Sequence, residues 1–186
     1  SRTTTLGTLS LSSSQRQLRP SQACFVLGGG LYLAMSTQEF ALVHRALVEA
    51  GHHWSSTIIW AKDSLVIGRK DYHPQYEPIW YGWREGAPRA VPVVDRKQSD
   101  LWSIPRPKVS EEHPTMKPVA LVLRALMNSS KSGALVFEPF SGSGTTIIAS
   151  EQAGRRCRAI ELDPQYVQVA VDRWEKMTGK KAKMLK

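Results

Sequence analysis

Residues 136–166, VFEPFSGSGTTIIASEQAGRRCRAIELDPQY, constrain this chain more than any other stretch. A short apolar run meets a turn of small residues, a helical run follows, and a second strand-like run stops on an acid. Two strands joined through a helix pair in parallel, because the helix returns the chain to the starting end of the sheet. The expectation is therefore an α/β fold.

The rest of the sequence extends that pattern. LYLAM, residues 31–35, reads as a buried strand, and STQEFALVHRALVEAG reads as a helix. Ser36 and Glu39 are spaced as a capping box, Phe40, Val43 and Leu47 share a face, and Gly51 supplies the stop. STIIWAK and EPIWYGW read as two more strands. Further on, Pro118 is expected at the first position of a helix through VALVLRALM. Then come a strand at 134–138, a helix at 144–153, a strand at 157–162 and a helix from Pro164 to Met177. Asp163 is the expected N-cap of that last helix, Val167, Ala170, Val171 and Trp174 its buried face, and Gly179 lies beyond its end. Alternating strands and helices predict a mostly parallel, doubly wound sheet.

With 186 residues, 41% of them hydrophobic, the chain suits one domain. Residues 1–23 are rich in Ser, Thr, Gln and Arg, hold no acid and show no periodicity, so they are expected to form a disordered arm before a domain at 24–186. Residues 84–112 carry four prolines and mixed charge and read as a long irregular excursion. Cys24 and Cys157 have no metal-ligand or disulfide spacing, so neither a metal site nor a disulfide framework is expected, and a reducing cytoplasm is the default. No apolar run is long enough for a membrane span or a signal peptide.

In such sheets a ligand sits at the carboxyl ends of the strands, where the turn's backbone N–H groups face it. Gly142, Ser143 and Gly144 are small enough to let a ligand approach the backbone. Glu161, nineteen residues after Gly142, is placed to accept hydrogen bonds from two ribose hydroxyls, which suggests an adenosine ligand. No lysine follows the glycines, which argues against ATP, and Ile147 stands where a dinucleotide fingerprint needs a third glycine. Glu138 at the tip of the incoming strand would repel a pyrophosphate but attract an ammonium or sulfonium. S-adenosylmethionine carries both cations on an adenosine.

FEPFSGSGTT resembles the cofactor motif of the DNA amino-methyltransferases, which methylate adenine N6 or cytosine N4, and HPTMKP resembles their second cofactor motif. The order of these segments, with AIELD after both, is similar to that of the circularly permuted β group, and GRKDYHPQYEPIWYGW is similar to a segment of its phage-type members. The resemblance implies a Rossmann-like S-adenosylmethionine-dependent methyltransferase fold acting on double-stranded DNA, as in restriction-modification. It implies cofactor contacts from Glu138, Phe140, Gly142, Ser143, Gly144, Thr145 and Glu161. It implies His113, Thr115 and Lys117 at the methionine end, with Lys117 a cation for the cofactor carboxylate. Residues 84–112 would be the target-recognition region.

The resemblance also implies an Asp/Asn/Ser-Pro-Pro-aromatic tetrapeptide that receives the target amine, yet the sequence holds no Pro-Pro. DPQY at 163–166 reads instead as an N-cap and first helical turn. No catalytic residue is therefore assigned. The expectation is a C-terminal portion of a methyltransferase, with an incomplete sheet gapped between its LVFE and LYLAM strands. A non-catalytic remnant that binds S-adenosylmethionine or DNA is the first alternative, and an NAD-linked oxidoreductase the second.

The formal charge of +9 suits a polyanionic partner. Arg84, Arg89, Arg96, Lys97 and Arg106 are the candidate DNA contacts, with Trp102 among them, and acids in the same stretch offset part of that charge. Tyr72, His73 and Tyr76 are candidates for contact with an extruded base. A homodimer is left open.

Overall fold

The computed structural model describes residues 28–65, 67–69, 71–86, 88–93, 95–107 and 116–184. The expected arm at 1–23 and the candidates His113 and Thr115 lie outside these residues. The elements run β1 (Leu31–Ala34), α1 (Phe40–Glu49), β2 (His52–Ala61), β3 (Tyr76–Arg84), β4 (Leu101–Ser103), α2 (Val119–Ser129), β5 (Leu135–Glu138), α3 (Thr145–Gln152), β6 (Arg156–Ala159) and α4 (Pro164–Thr178).

The strands form two sheets rather than one: a four-stranded sheet ordered β1-β3-β2-β4 and a two-stranded sheet of β5 and β6. The larger one is mixed, not mostly parallel. β3 runs antiparallel to both β1 and β2, while β2 with β4 and β5 with β6 are parallel. The reason is the link between β2 and β3, which contains no helix among the described residues, so the chain turns back beside the strand it has just left.

β3 is the centre of the larger sheet and is buried on both faces. Ile79 and Tyr81 join Ile58, Trp60, Trp102 and Leu121 of α2 in the main core, with Tyr32 and Trp83 packed against it. Each such buried side chain contributes roughly 1.5–3 kcal/mol. Trp80 alternates to the opposite face, where it is 0% exposed and donates from Nε1 to His44 Nδ1 of α1 at 3.3 Å. α1 therefore covers one face and α2 the other.

Several local expectations shift. No side-chain cap forms at α1: the Glu39 N–H bonds to the Ser36 carbonyl at 3.2 Å in a preceding turn, and the helix starts after it. Pro118 is the N-cap of α2 rather than its first residue. The excursion at 84–112 contains β4, whose Trp102 is buried in the core, with the Arg124 guanidinium 4.7 Å from its ring centre. Gln98 extends this anchorage, pairing with Asn128 of α2 through bonds of 2.9 and 3.0 Å.

α4 begins as its sequence dictates. Asp163 Oδ1 accepts the Gln165 N–H at 2.9 Å, and Pro164 follows the cap. Asp163→Ala is expected to cost about 1 kcal/mol, seen as a fall of roughly 2–4 °C in the thermal midpoint. Trp174, on this helix, is the only tryptophan after α2.

Candidate functional site

The turn at 139–144 joins β5 to α3 and is held by acids from both strands of the small sheet. Glu138, the last residue of β5, accepts from the Phe140 N–H through Oε1 at 3.0 Å and from the Thr146 hydroxyl through Oε2 at 2.9 Å. Glu161, two residues past the end of β6, accepts the Gly142 N–H through Oε2 at 2.6 Å. Its Oε1 takes the Leu162 and Asp163 N–H groups at 2.9 and 3.1 Å. The Ser141 N–H bonds to the Ile160 carbonyl at 3.0 Å, which closes the turn onto β6.

α4 presses on the same turn from beneath. Gly144 has φ +79°, and a Cβ there would lie 2.6 Å from the Ala170 Cβ. The Arg173 guanidinium donates to the Ser143 carbonyl and, at 3.1 Å, to its hydroxyl. Gly142, at φ +51°, has open space where its Cβ would point. Gly144→Ala is thus expected to cost about 2–4 kcal/mol, combining left-handed strain with overpacking. Gly142→Ala should cost only the strain, about 1–2 kcal/mol, and urea unfolding midpoints of the two variants check the difference.

The candidates accordingly divide. Ser143, Gly144 and Thr145 are buried and face protein, with the Thr145 hydroxyl donating to the Lys117 carbonyl at 3.3 Å. That bond brings the segment before α2 onto the turn and places Lys117 beside it. Phe140 is 62% exposed, and Gly142, Glu138, Glu161 and Lys117 are part-exposed. A hollow of about 240 Å³ opens next to the turn, with Ser141 and Glu161 on its polar side. Ile147, Ala159, Val167 and Trp174 give it an apolar wall. Glu138 does not line this hollow; its carboxylate is turned to Phe140 and Thr146.

Thr146 and Arg173 escaped the sequence reading. Thr146 is the second residue of α3, two after Gly144, where its hydroxyl reaches back to Glu138 at the strand end. Arg173 lies three residues after Ala170 on the face of α4 that meets the turn, a spacing visible in the sequence only once that face is known. The half-buried Cys157 thiol on β6 is pushed above its ordinary pKa by desolvation, which keeps it protonated and poorly nucleophilic.

The five cationic candidates do not form one cluster. Arg84 is paired with His52 at the start of β2, and Arg89 lies 5.3 Å from the Trp83 ring centre nearby. Arg106 lies past the far end of β2, its N–H on Asp63 Oδ1 at 3.0 Å and its guanidinium on the Ser64 hydroxyl at 2.7 Å. The strand between them spans about 30 Å at roughly 3.3 Å per residue. Arg96 and Lys97 are exposed in the link to β4. Tyr72 is 92% exposed and Tyr76 43%. No helix among the described residues is long and apolar enough to cross a membrane.

Residues 15–172 match the DNA methylase family of N6/N4 methyltransferases. The chain is similar to the DNA adenine methyltransferase YhdJ of Escherichia coli (strain K12), 28% identical over 78% of this chain and 60% of that protein. It is similar to the type II methyltransferase M2.DpnII of Streptococcus pneumoniae, 31% identical over 66% of this chain and 43% of that protein. It therefore spans less than two thirds of either relative's length. Its fold is that of the M1.HpyAVI–SAM complex, with a TM-score of 0.70 and 24% identity over 80% of this chain and 75% of that one.

Proposed function

The chain belongs to the DNA methylase family of N6/N4 methyltransferases, and from that premise we propose that it binds S-adenosylmethionine beside turn 139–144 in the methylation of an exocyclic DNA amine. The observation that carries this reading is the Glu161 carboxylate, held on the glycine-bearing turn through the Gly142 N–H and lining the polar side of the hollow. The residues fit a cationic nucleoside. An apolar slot bounded by Trp174, Val167 and Ile147 suits a purine face, and Glu161 at its polar side suits a ribose diol. The hollow, about 240 Å³, is smaller than the roughly 300 Å³ at which pockets for drug-sized ligands begin, so it accounts for the nucleoside part alone.

When bound, the cofactor supplies a methyl group on a sulfonium. Glu161 holds the ribose hydroxyls, and Lys117 offers its ammonium to the cofactor carboxylate. Phe140 and Gly142 form the open rim. Ser143, Gly144 and Thr145 act by shaping the turn against α4 and the segment before α2. Glu138 keeps a negative charge behind the turn while bracing it through Thr146. For the target, adenine N6 or cytosine N4 in double-stranded DNA, the exposed Arg96 and Lys97 serve as phosphate contacts, with Arg84 and Arg89 forming a separate group at the start of β2. Residues 84–112 are the target-recognition part of a domain spanning 24–186.

Calorimetric titration with S-adenosylmethionine, run beside NAD, tests the site. Saturable binding of the sulfonium compound in preference to NAD is expected, and a preference for NAD would sink the proposal. A second reading, cofactor binding without transfer, is favoured by the absence of a Pro-Pro tetrapeptide from this sequence. Labelled-methyl transfer to duplex DNA separates the two.

A further inference from the structure

After α4 the chain reverses and lies back along the helix. Gly179, at φ +70°, caps α4 with its N–H on the Glu175 carbonyl at 2.8 Å, and its left-handed backbone turns the chain around. The Lys180 N–H then bonds to the Thr178 hydroxyl at 3.2 Å, which itself donates to the Trp174 carbonyl at 2.8 Å. One carboxylate holds the returning segment. Glu175 takes the Lys181 ammonium through Oε2 at 2.6 Å and the Ala182 N–H through Oε1 at 2.8 Å. The Lys181 ammonium first, and the Ala182 N–H next, keep the Glu175 carboxyl below its ordinary pKa, while Glu175 raises that of Lys181, so both stay charged at neutral pH. A second acid, on α3, reaches the same segment: Glu151 accepts the Trp174 indole N–H at 3.3 Å and lies 3.5 Å from the Lys180 ammonium. Residues 180–182 therefore bridge α3 and α4.

They do so at one end of the hollow. Ile147 of α3 and Val167, Ala170, Val171 and Trp174 of α4 line it, and Ala182 lines it as well. Val167 to Trp174 cover about 10 Å of the α4 axis at roughly 1.5 Å per residue. Glu161 marks the end where α4 begins, because its Oε1 accepts the Asp163 N–H. Ala182 marks the other, because its N–H is bound beside Trp174, on Glu175.

The two ends differ in how firmly they are closed. At the first, the Ser141 N–H is fixed to the Ile160 carbonyl, and Glu161 is fixed to the Gly142, Leu162 and Asp163 N–H groups. At the second, the lysine side chains are 66% exposed at Lys180 and 86% at Lys181. Ion pairs of that kind hold loosely and are screened by salt. The wall free to move is the one built from residues 180–182.

We propose that residues 180–182 are a strap that closes the hollow over the purine of the bound cofactor and opens to release it, with Glu175 the positioning residue that latches it. With the ribose held by Glu161, the purine extends along α4 toward Trp174 and meets the strap at Ala182. The identity of the ligand rests on the methyltransferase reading, whereas the latch rests only on the contacts above.

The test uses the full chain with Glu175→Ala, Lys181→Met and the two combined. Both positions are on the surface, and thermal midpoints within about 2 °C of wild type show that the helices are intact. Nuclear magnetic relaxation reads the latch without any ligand. The Lys181 and Ala182 amides are expected to have order parameters of about 0.85 in wild type at low salt, and below about 0.6 in Glu175→Ala and in wild type at about 1 M salt. Release of radiolabelled S-adenosylmethionine into an excess of the unlabelled compound reads the closure. It is expected to be about fivefold faster in Glu175→Ala and about twofold faster in Lys181→Met, the range that loss of exposed charged contacts allows. The combined variant should release no faster than Glu175→Ala, since one ion pair is lost only once.

A strap already loose in wild type at low salt, release at the wild-type rate from both single variants, or effects that multiply in the combined variant each overturn the proposal. A chain that binds no S-adenosylmethionine overturns the cofactor reading and the ligand named with it, while the order parameters still decide the latch. Binding that persists with no change in either order parameters or release removes the strap alone.

Discussion

Replacing Glu161 by alanine is expected to weaken S-adenosylmethionine binding by about 100-fold. Two hydrogen bonds from ribose hydroxyls to an ionised carboxylate contribute about 1.5 kcal/mol each at the low end, and about 1.4 kcal/mol corresponds to a factor of ten. Glu161→Gln should lose less, because the amide oxygen still accepts one of the two bonds. The same side chain also receives the Gly142, Leu162 and Asp163 N–H groups, so part of any loss passes through the turn itself. Isothermal titration of both variants, with circular dichroism to show that the fold persists, measures the effect. Unchanged affinity in a folded Glu161→Ala variant would remove Glu161 from the ligand site.

The largest change in stability is expected at Trp80. Its side chain is fully buried at the centre of β3, with His44 accepting its indole N–H. Truncation to alanine leaves a cavity between the sheet and α1 and costs about 3–5 kcal/mol. Against a typical total of about 5–15 kcal/mol, that loss removes roughly a fifth of the stability or more. Urea denaturation should show a lower midpoint with an unchanged slope. Trp80→Phe, which retains most of the volume, should fall well between wild type and Trp80→Ala. A midpoint for Trp80→Ala within experimental error of wild type would mean that the α1 face of the sheet does not depend on this packing.

What was legible in the sequence and what was not divide along physical lines. Local signals held wherever the backbone alone decided the outcome. Asp163 and Pro164 start α4, Gly179 ends it at φ +70°, and the glycine turn lies between β5 and α3. Strand direction was not legible between β2 and β3. An apolar run reads the same in either direction, and only the lack of a helix in their connection reveals the antiparallel return. The burial of Trp102 was hidden for a similar reason, because a three-residue strand among prolines carries no periodicity. In the site, the acids were found by their position at strand ends. The inward orientation of Ser143 and Thr145 was not, since it is set by Arg173 and by the Lys117 carbonyl, thirty and twenty-eight residues away. The gap expected between LVFE and LYLAM came from the family resemblance and not from any local signal in the residues; the described strands form two sheets.

The placement of the tryptophans has a practical consequence. Five of the six belong to the larger sheet, and Trp174 alone borders the hollow beside Glu161. Near-ultraviolet emission from Trp174 is therefore an intrinsic optical reporter of whatever enters there, and comparison with a Trp174→Phe variant isolates its signal from the other five without an attached dye.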